Sequence, residues 1–195
     1  MKIIENTILR FKILIYPLYV KSKLLFKQPR YHSKVFCIGY QKTGTTSVGK
    51  AIESLGYSHS SWYKPIFKQY RKDNIDKVIK RTAYFDSFDD LPWSDKDFIP
   101  ILDKKFPNSK FINLVRNENE WKKSYKRYFN KSIEEVEEAY ADYLKHQEFV
   151  SEYFKNKPDQ LLTINVKDSN SFQKIADFLG EDVPSNLKLP HINKS

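Results

Sequence analysis

The amino-acid sequence predicts an α/β domain of three layers, with a central parallel sheet of about five strands flanked by helices. Three observations carry this. Short apolar runs alternate with longer segments of helical period, as in strand–helix–strand units joined in parallel. Four of the five glycines, Gly39, Gly44, Gly49 and Gly56, follow the first apolar run closely, where a strand must turn tightly into a helix. Helix-start signals, Asn117 with Glu120 and Ser132 with Glu135, recur after polar breaks in the chain.

In chain order, Lys34-Val35-Phe36-Cys37-Ile38-Gly39 reads as a strand over 34–39, and Val48 to Leu55 carry the period of a helix over 45–55. A weak strand lies near Tyr57. A helix is predicted over 62–80 and a strand over 82–86, where Thr82-Ala83-Tyr84-Phe85 ends in Asp86. A helix over 95–105 precedes Lys110-Phe111-Ile112-Asn113-Leu114-Val115, a buried strand over 110–115 with Arg116 at its end. Helices follow over 118–130 and 133–155, then a strand over 161–165 and a helix over 169–179 stopped by Gly180.

The composition suits one such domain. The chain has 195 residues, of which 40% are hydrophobic, 15% aromatic and 30% charged, which excludes a disordered or collagen-like chain. A single cysteine, Cys37, excludes an internal disulfide and a cysteine-rich metal site, and its apolar setting makes it a core residue. His32, His59, His146 and His191 lack ligand spacing, so no metal site is expected.

The net charge is +10, and +6 of it falls in residues 1–33, which hold seven Lys/Arg and one acid. The expected division is a basic amphipathic arm over 1–33 and an α/β domain over 34–195. Lysines at 12, 21 and 23 interrupt the arm's apolar patches, so it falls short of the ~20 mostly apolar residues of a membrane span. It also lacks the small-residue cleavage site of a secretory signal. Ile4, Ile8, Phe11, Ile15 and Leu18 would share one helical face, with a kink at Pro17. Two readings stand: peripheral contact of residues 1–28 with an anionic membrane, or a terminal helix packed on the domain. The expected location is cytoplasmic under either. No nucleic-acid motif accompanies the basic charge, so no nucleic-acid partner is expected.

The loop Tyr40-Gln41-Lys42-Thr43-Gly44-Thr45-Thr46-Ser47 carries the chemistry. A strand, a glycine loop and a helix start form an anion cradle, in which free backbone N–H groups and the helix dipole face the ligand. Lys42 adds a full charge, and Thr45, Thr46 and Ser47 add hydroxyls. Gly39 and Gly44 have the spacing of the nucleoside-triphosphate loop G-x-x-x-x-G-K-[ST], so the fold is P-loop-like. Thr45 stands where that motif has lysine, and the lysine lies two places before the second glycine.

Gln41-Lys42-Thr43-Gly44-Thr45-Thr46-Ser47 resembles the 5′-phosphosulfate loop of sulfotransferases that use 3′-phosphoadenosine-5′-phosphosulfate (PAPS). Arg116 and Ser124, eight residues apart in Leu-Val-Arg-Asn-Glu-Asn-Glu-Trp-Lys-Lys-Ser-Tyr, resemble the same family's grip on the 3′-phosphate. The segments Asp86…Asp90-Leu91-Pro92-Trp93, Phe106-Pro107-Asn108-Ser109-Lys110-Phe111-Ile112 and Leu189-Pro190-His191-Ile192-Asn193 look like a compact branch of these enzymes, and coverage is roughly 34–193. The resemblance implies PAPS as co-substrate, held by residues 41–47 with Arg116 and Ser124. It implies Lys42 beside the leaving group, and an acceptor hydroxyl or amine on a sugar or small metabolite. No metal is required in this reading, because Lys42 and the loop amides meet the charge.

Sulfuryl transfer also needs a group that takes the acceptor's proton. Asp90, in the Asp-x-Pro-Trp segment, is preferred. Asp86, expected at a carboxyl strand end facing the cleft, and His59, after the weak strand, follow. Trp62, Tyr63, Trp93, Trp121 and Tyr125 are all candidates to stack on adenine or a sugar. Two rival functions are a P-loop kinase using Asp86 as a Mg²⁺-linked carboxylate, and a non-catalytic binder of anions or nucleotides. The missing Gly-Lys-[Ser/Thr] lysine weighs against the first.

Overall fold

In a computed structural model the described residues are 32–183. The N-terminal arm, except its last two residues, and the tail carrying His191 lie outside them. The strands are β1 (Val35–Cys37), β2 (His59–Ser60), β3 (Ser87–Asp89), β4 (Lys110–Leu114) and β5 (Leu161–Ile164). The helices are α1 (Thr45–Ser54), α2 (Lys64–Tyr70), α3 (Ile75–Thr82), α4 (Ile99–Lys105), α5 (Glu118–Phe129), α6 (Ile133–Phe154) and α7 (Ser171–Leu179). The five strands form one sheet in the order β2-β3-β1-β4-β5, with every pairing parallel. The α/β, three-layer class is therefore what the chain adopts.

Alternation along the strands divides the core between the two faces of the sheet. Val35 and Cys37 point to a layer with Val48 and Ile52 of α1 and Ile175 of α7. Phe36 points the other way, into a larger layer with residues of α2, α3, α4 and α6. There Phe36 lies between Phe88 and Phe111, at ring separations of 5.4 and 5.3 Å. Trp93 packs on Phe88 at 4.8 Å, and its indole N–H donates to Thr82 Oγ1. Trp93 is fully buried, which removes it as a ligand-stacking ring.

Two element boundaries differ from expectation. The helix over 62–80 is two helices. Asp73 takes a left-handed φ of 56°, tolerated by a short polar side chain, and reverses the chain before α3 starts at Ile75. The strand over 82–86 is not a strand. Thr82 closes α3, with its hydroxyl donating to the Val78 carbonyl, and the buried ammonium of Lys34 takes the carbonyls of Ala83 and Phe85. The ladder begins only at Ser87, opposite Val35. Asp86 thus precedes β3 instead of ending a strand.

Candidate active site

Parallel strands bring all their carboxyl ends to one edge of the sheet, and loops there are free to bind ligands. The loop after β1 is shaped by two residues of positive φ, Lys42 at 65° and Gly44 at 109°. A Cβ on Gly44 would stand 2.7 Å from Val166 Cγ2, so both the angle and the space demand glycine. Thr43 is fully buried, and its hydroxyl and N–H both donate to the Tyr40 carbonyl, closing the turn. Gly44 offers no side-chain cap to α1. The first-turn N–H groups of Thr45 and Thr46 have no carbonyl one turn back within the helix, and point out of its start as anion donors.

The second element is β4, Arg116 and α5. Asn117 caps α5, with its Oδ1 accepting from the N–H groups of Asn119 and Glu120 at 3.0 and 3.4 Å. Glu120 does not complete a capping box. Its carboxylate pairs instead with Lys167 at 2.6 Å and stands 3.7 Å from Arg116 Nε. The expected box at Ser132 and Glu135 is present in full.

The two elements meet. Arg116 donates from Nη1 to the Lys42 carbonyl at 2.7 Å, and Trp121 donates from its indole N–H to the Gln41 carbonyl at 2.7 Å. Arg116's own N–H donates to Tyr143 Oη at 3.2 Å, which ties the strand end to α6. Trp121 is fully buried and stacks on Tyr125 and Tyr143, so it braces the loop and has no free face for adenine. Arg116 Nε is buried and makes no hydrogen bond, and the Glu120 carboxylate balances its charge from 3.7 Å. Ser124, nearly buried, lies on the same helix two turns on from Asn117.

Lys42 extends along α5, with its ammonium 3.6 Å from the centre of the Tyr128 ring. Partial burial lowers its pKa from the usual lysine value, and the neighbouring Arg116 and Arg127 charges push the same way.

The three candidate bases separate. Asp90 directly follows β3 in a left-handed conformation, φ 63°, with Oδ1 accepting from the Leu91 N–H at 2.7 Å. Burial raises its carboxyl above the usual range and the Asp89 charge adds to this, while that N–H bond and the Lys42 charge oppose it. Because β3 runs parallel to β1 and ends at Asp89, Asp90 lies at the same sheet edge as the loop. Asp86 lies at the amino end of β3, where its carboxylate accepts from the N–H and hydroxyl of Ser58. That is the wrong edge for a group working with the loop, and the expectation of a cleft-facing Asp86 is corrected. His59 lies in β2, not after it. Its side chain is only 8% exposed, its Nδ1 pairs with Ser87 Oγ at 2.9 Å, and its Nε2 stands 3.3 Å from Asp89 Oδ1. Both ring nitrogens face buried neighbours, so the ring is not presented to an acceptor.

Asp89 is the site-adjacent residue that sequence reasoning missed. It ends β3 nearly buried, and its Oδ1 makes no hydrogen bond despite the nearby imidazole. The signal was the acidic pair ahead of Leu91-Pro92-Trp93, of which only the second member was chosen. Among the described residues, no group of three or more His, Cys, Asp or Glu is arranged to hold a metal ion. No helix among them is long and apolar enough to cross a membrane.

Comparison with known proteins agrees with this geometry. A family model described as a sulfotransferase domain matches residues 34–141 and 126–195. No curated protein matches the chain by sequence. Among solved structures, a gluconokinase from Sinorhizobium meliloti 1021 shows a distant similarity: 13% identity and a TM-score of 0.49 over 77% of this chain and 93% of that one. The match across almost the whole α/β region, on a chain whose β1 loop is joined to its β4 arginine, shows that this protein belongs to the sulfotransferase-domain family.

Proposed function

We propose that the protein transfers a sulfuryl group from PAPS to a hydroxyl or amine acceptor on a sugar or small metabolite. The observation that carries the reading is the 2.7 Å bond from Arg116 to the Lys42 carbonyl, which makes the two anion-binding elements neighbours in one site. The residues present fit such a donor. The uncapped start of α1 and the hydroxyls of Thr45, Thr46 and Ser47 suit one phosphate group. The Arg116 guanidinium, whose Nε makes no hydrogen bond, with Ser124 on the following helix, suits another. Gln41, Lys42, Thr43 and Gly44 supply the turn that sets the two apart.

The donor supplies a sulfuryl group on a phosphate leaving group, so negative charge grows on the bridging oxygen as the bond breaks. Lys42 is assigned to neutralise that oxygen. Burial and the Arg116 and Arg127 charges lower its pKa, and a developing negative charge on that oxygen would favour the ammonium form. Asp90 is assigned to take the acceptor's proton, and its raised carboxyl pKa brings it closer to the working pH of a general base. Residues 34–195 would do this work. The expected membrane contact of residues 1–28 and the cytoplasmic location remain proposals independent of it.

Ligand-dependent melting tests the reading. Adenosine 3′,5′-bisphosphate at ~100 times its dissociation constant should stabilise the chain by about 2.7 kcal/mol, and Mg-ATP at the same concentration by much less. A preference for Mg-ATP would instead support the kinase reading.

A further inference from the structure

Residues 34–195 carry a net charge of only +4. The stretch 64–72 alone contains Lys64, Lys68, Arg71 and Lys72 and no acid, so the rest of that region is neutral in sum. Lys64, Phe67, Lys68, Arg71 and Lys72 are spaced i, i+3, i+4, i+7 and i+8, the stripe a helix normally turns to its core. Here the core-facing residue of α2 is Ile66, and the stripe lines a surface cavity of about 500 Å³ together with Trp62. The four cations are exposed, and among the described residues none is paired with a carboxylate. Trp62 is 46% exposed, an unusual cost for the largest aromatic side chain.

The Trp62 end of the cavity lies toward the site. Trp62 comes two residues after Ser60, the carboxyl end of β2, and the donor loop leaves the carboxyl end of β1. These strands are separated only by β3, which puts the two ends about 10 Å apart along the same sheet edge.

We infer that this cavity docks the acceptor, and that the acceptor is an anionic saccharide, a sugar chain bearing carboxylate or sulfate groups. The inference rests on the sulfotransferase reading above. One flat indole face suits the C–H face of a pyranose ring, and the cations that line the same cavity suit carboxylates on that ring and its neighbour. A nucleic acid would use the same cations, but a single exposed ring gives successive bases no stacking ladder. A membrane surface would call for a projecting apolar face, whereas this surface is concave and cationic.

The test is binding of an alternating glucuronate–N-acetylglucosamine tetrasaccharide to the full chain, followed by Trp fluorescence and calorimetry. A neutral tetrasaccharide, a short single-stranded DNA and phosphatidylserine vesicles serve as the other arms. The uronate tetrasaccharide should bind about tenfold or more tighter than the neutral one. That advantage should fade between 0.1 and 1 M salt, where the screening length falls from about 10 to 3 Å. Lys68→Glu combined with Arg71→Glu should abolish the advantage, Lys68→Arg should keep it, and Trp62→Ala should weaken both sugars. Equal binding of charged and neutral sugars, an unaffected double variant, or stronger binding of DNA or vesicles overturns the inference. Adenosine 3′,5′-bisphosphate is titrated alongside. If it binds while the tetrasaccharide does not, the docking inference alone fails. If it does not bind, the sulfotransferase reading fails and takes the acceptor role with it.

Discussion

Gly44→Ala probes whether the loop geometry underlies donor binding. Two costs add. An alanine at φ 109°, ψ 22° leaves the allowed regions for L-residues, a strain of about 1–3 kcal/mol. Its Cβ also meets Val166 Cγ2 at 2.7 Å and Cγ1 at 3.2 Å, an overlap that costs about 1–3 kcal/mol when a packed region must shift. The sum is a loss of roughly 2–6 kcal/mol, read as the shift of a urea unfolding curve at constant slope. Val166→Ala separates the two parts. Alone it should cost about 1 kcal/mol for two half-buried methyl groups. In the double variant it should return the steric part, a favourable coupling of about 1–3 kcal/mol, and leave the dihedral part in place. Binding of adenosine 3′,5′-bisphosphate should follow the same order, weakest in Gly44→Ala and partly restored in the pair. A Gly44→Ala loss under about 1 kcal/mol, or zero coupling to Val166→Ala, would refute the claim that the loop is held by this backbone angle and this contact.

Other substitutions address the roles separately. Asp90→Asn keeps the left-handed backbone, which asparagine tolerates, and should lower turnover about 10²–10⁴-fold with donor-product affinity unchanged. The folded state holds the Asp90 proton to higher pH than the unfolded chain does. Wild-type stability therefore falls as pH rises through the window between the ordinary and the raised carboxyl pKa, and Asp90→Asn should flatten that slope; a slope equal to wild type would assign it to another group. Arg116→Lys keeps the charge and loses the fork, and calorimetry should show bisphosphate affinity down about ten- to a hundredfold, the equivalent of one charged hydrogen bond at about 1.5–3 kcal/mol. Gly49→Ala would place a Cβ 2.5 Å from His59 Nε2 and push α1 off the sheet, a loss of about 1–3 kcal/mol in urea unfolding that His59→Ala should relieve.

What could be read ahead of the structure was whatever is encoded locally. The β1 loop declares itself through glycine spacing and a run of hydroxyls, and the Arg116 element through an apolar strand followed by Asn117, whose side chain does cap α5. Both signals sit within ten residues, and both are consequences of backbone groups that must be satisfied on the spot. The α2–α3 break was harder. Asp73 and Asn74 are ordinary surface residues in a helical pattern, and only the left-handed turn at Asp73 shows that the chain reverses there.

The errors lie where distant residues decide. Thr82-Ala83-Tyr84-Phe85 alternates well enough for a strand, yet Lys34, some fifty positions earlier, captures two of its carbonyls and moves the start of the ladder to Ser87. That shift of a few residues exchanges the roles of the nearby acids. It sends Asp86 to the amino edge with Ser58, buries Asp89 against His59, and leaves Asp90 at the working edge within the field of Lys42. The same holds for Trp121, whose helical spacing gave no hint that its indole would hold the Gln41 carbonyl 80 positions away. The two elements proposed to hold the donor were legible because each is a short contiguous stretch of chain. A proton-accepting group is chosen by which strand end it reaches, and that depends on register, which a parallel sheet sets through contacts remote in sequence.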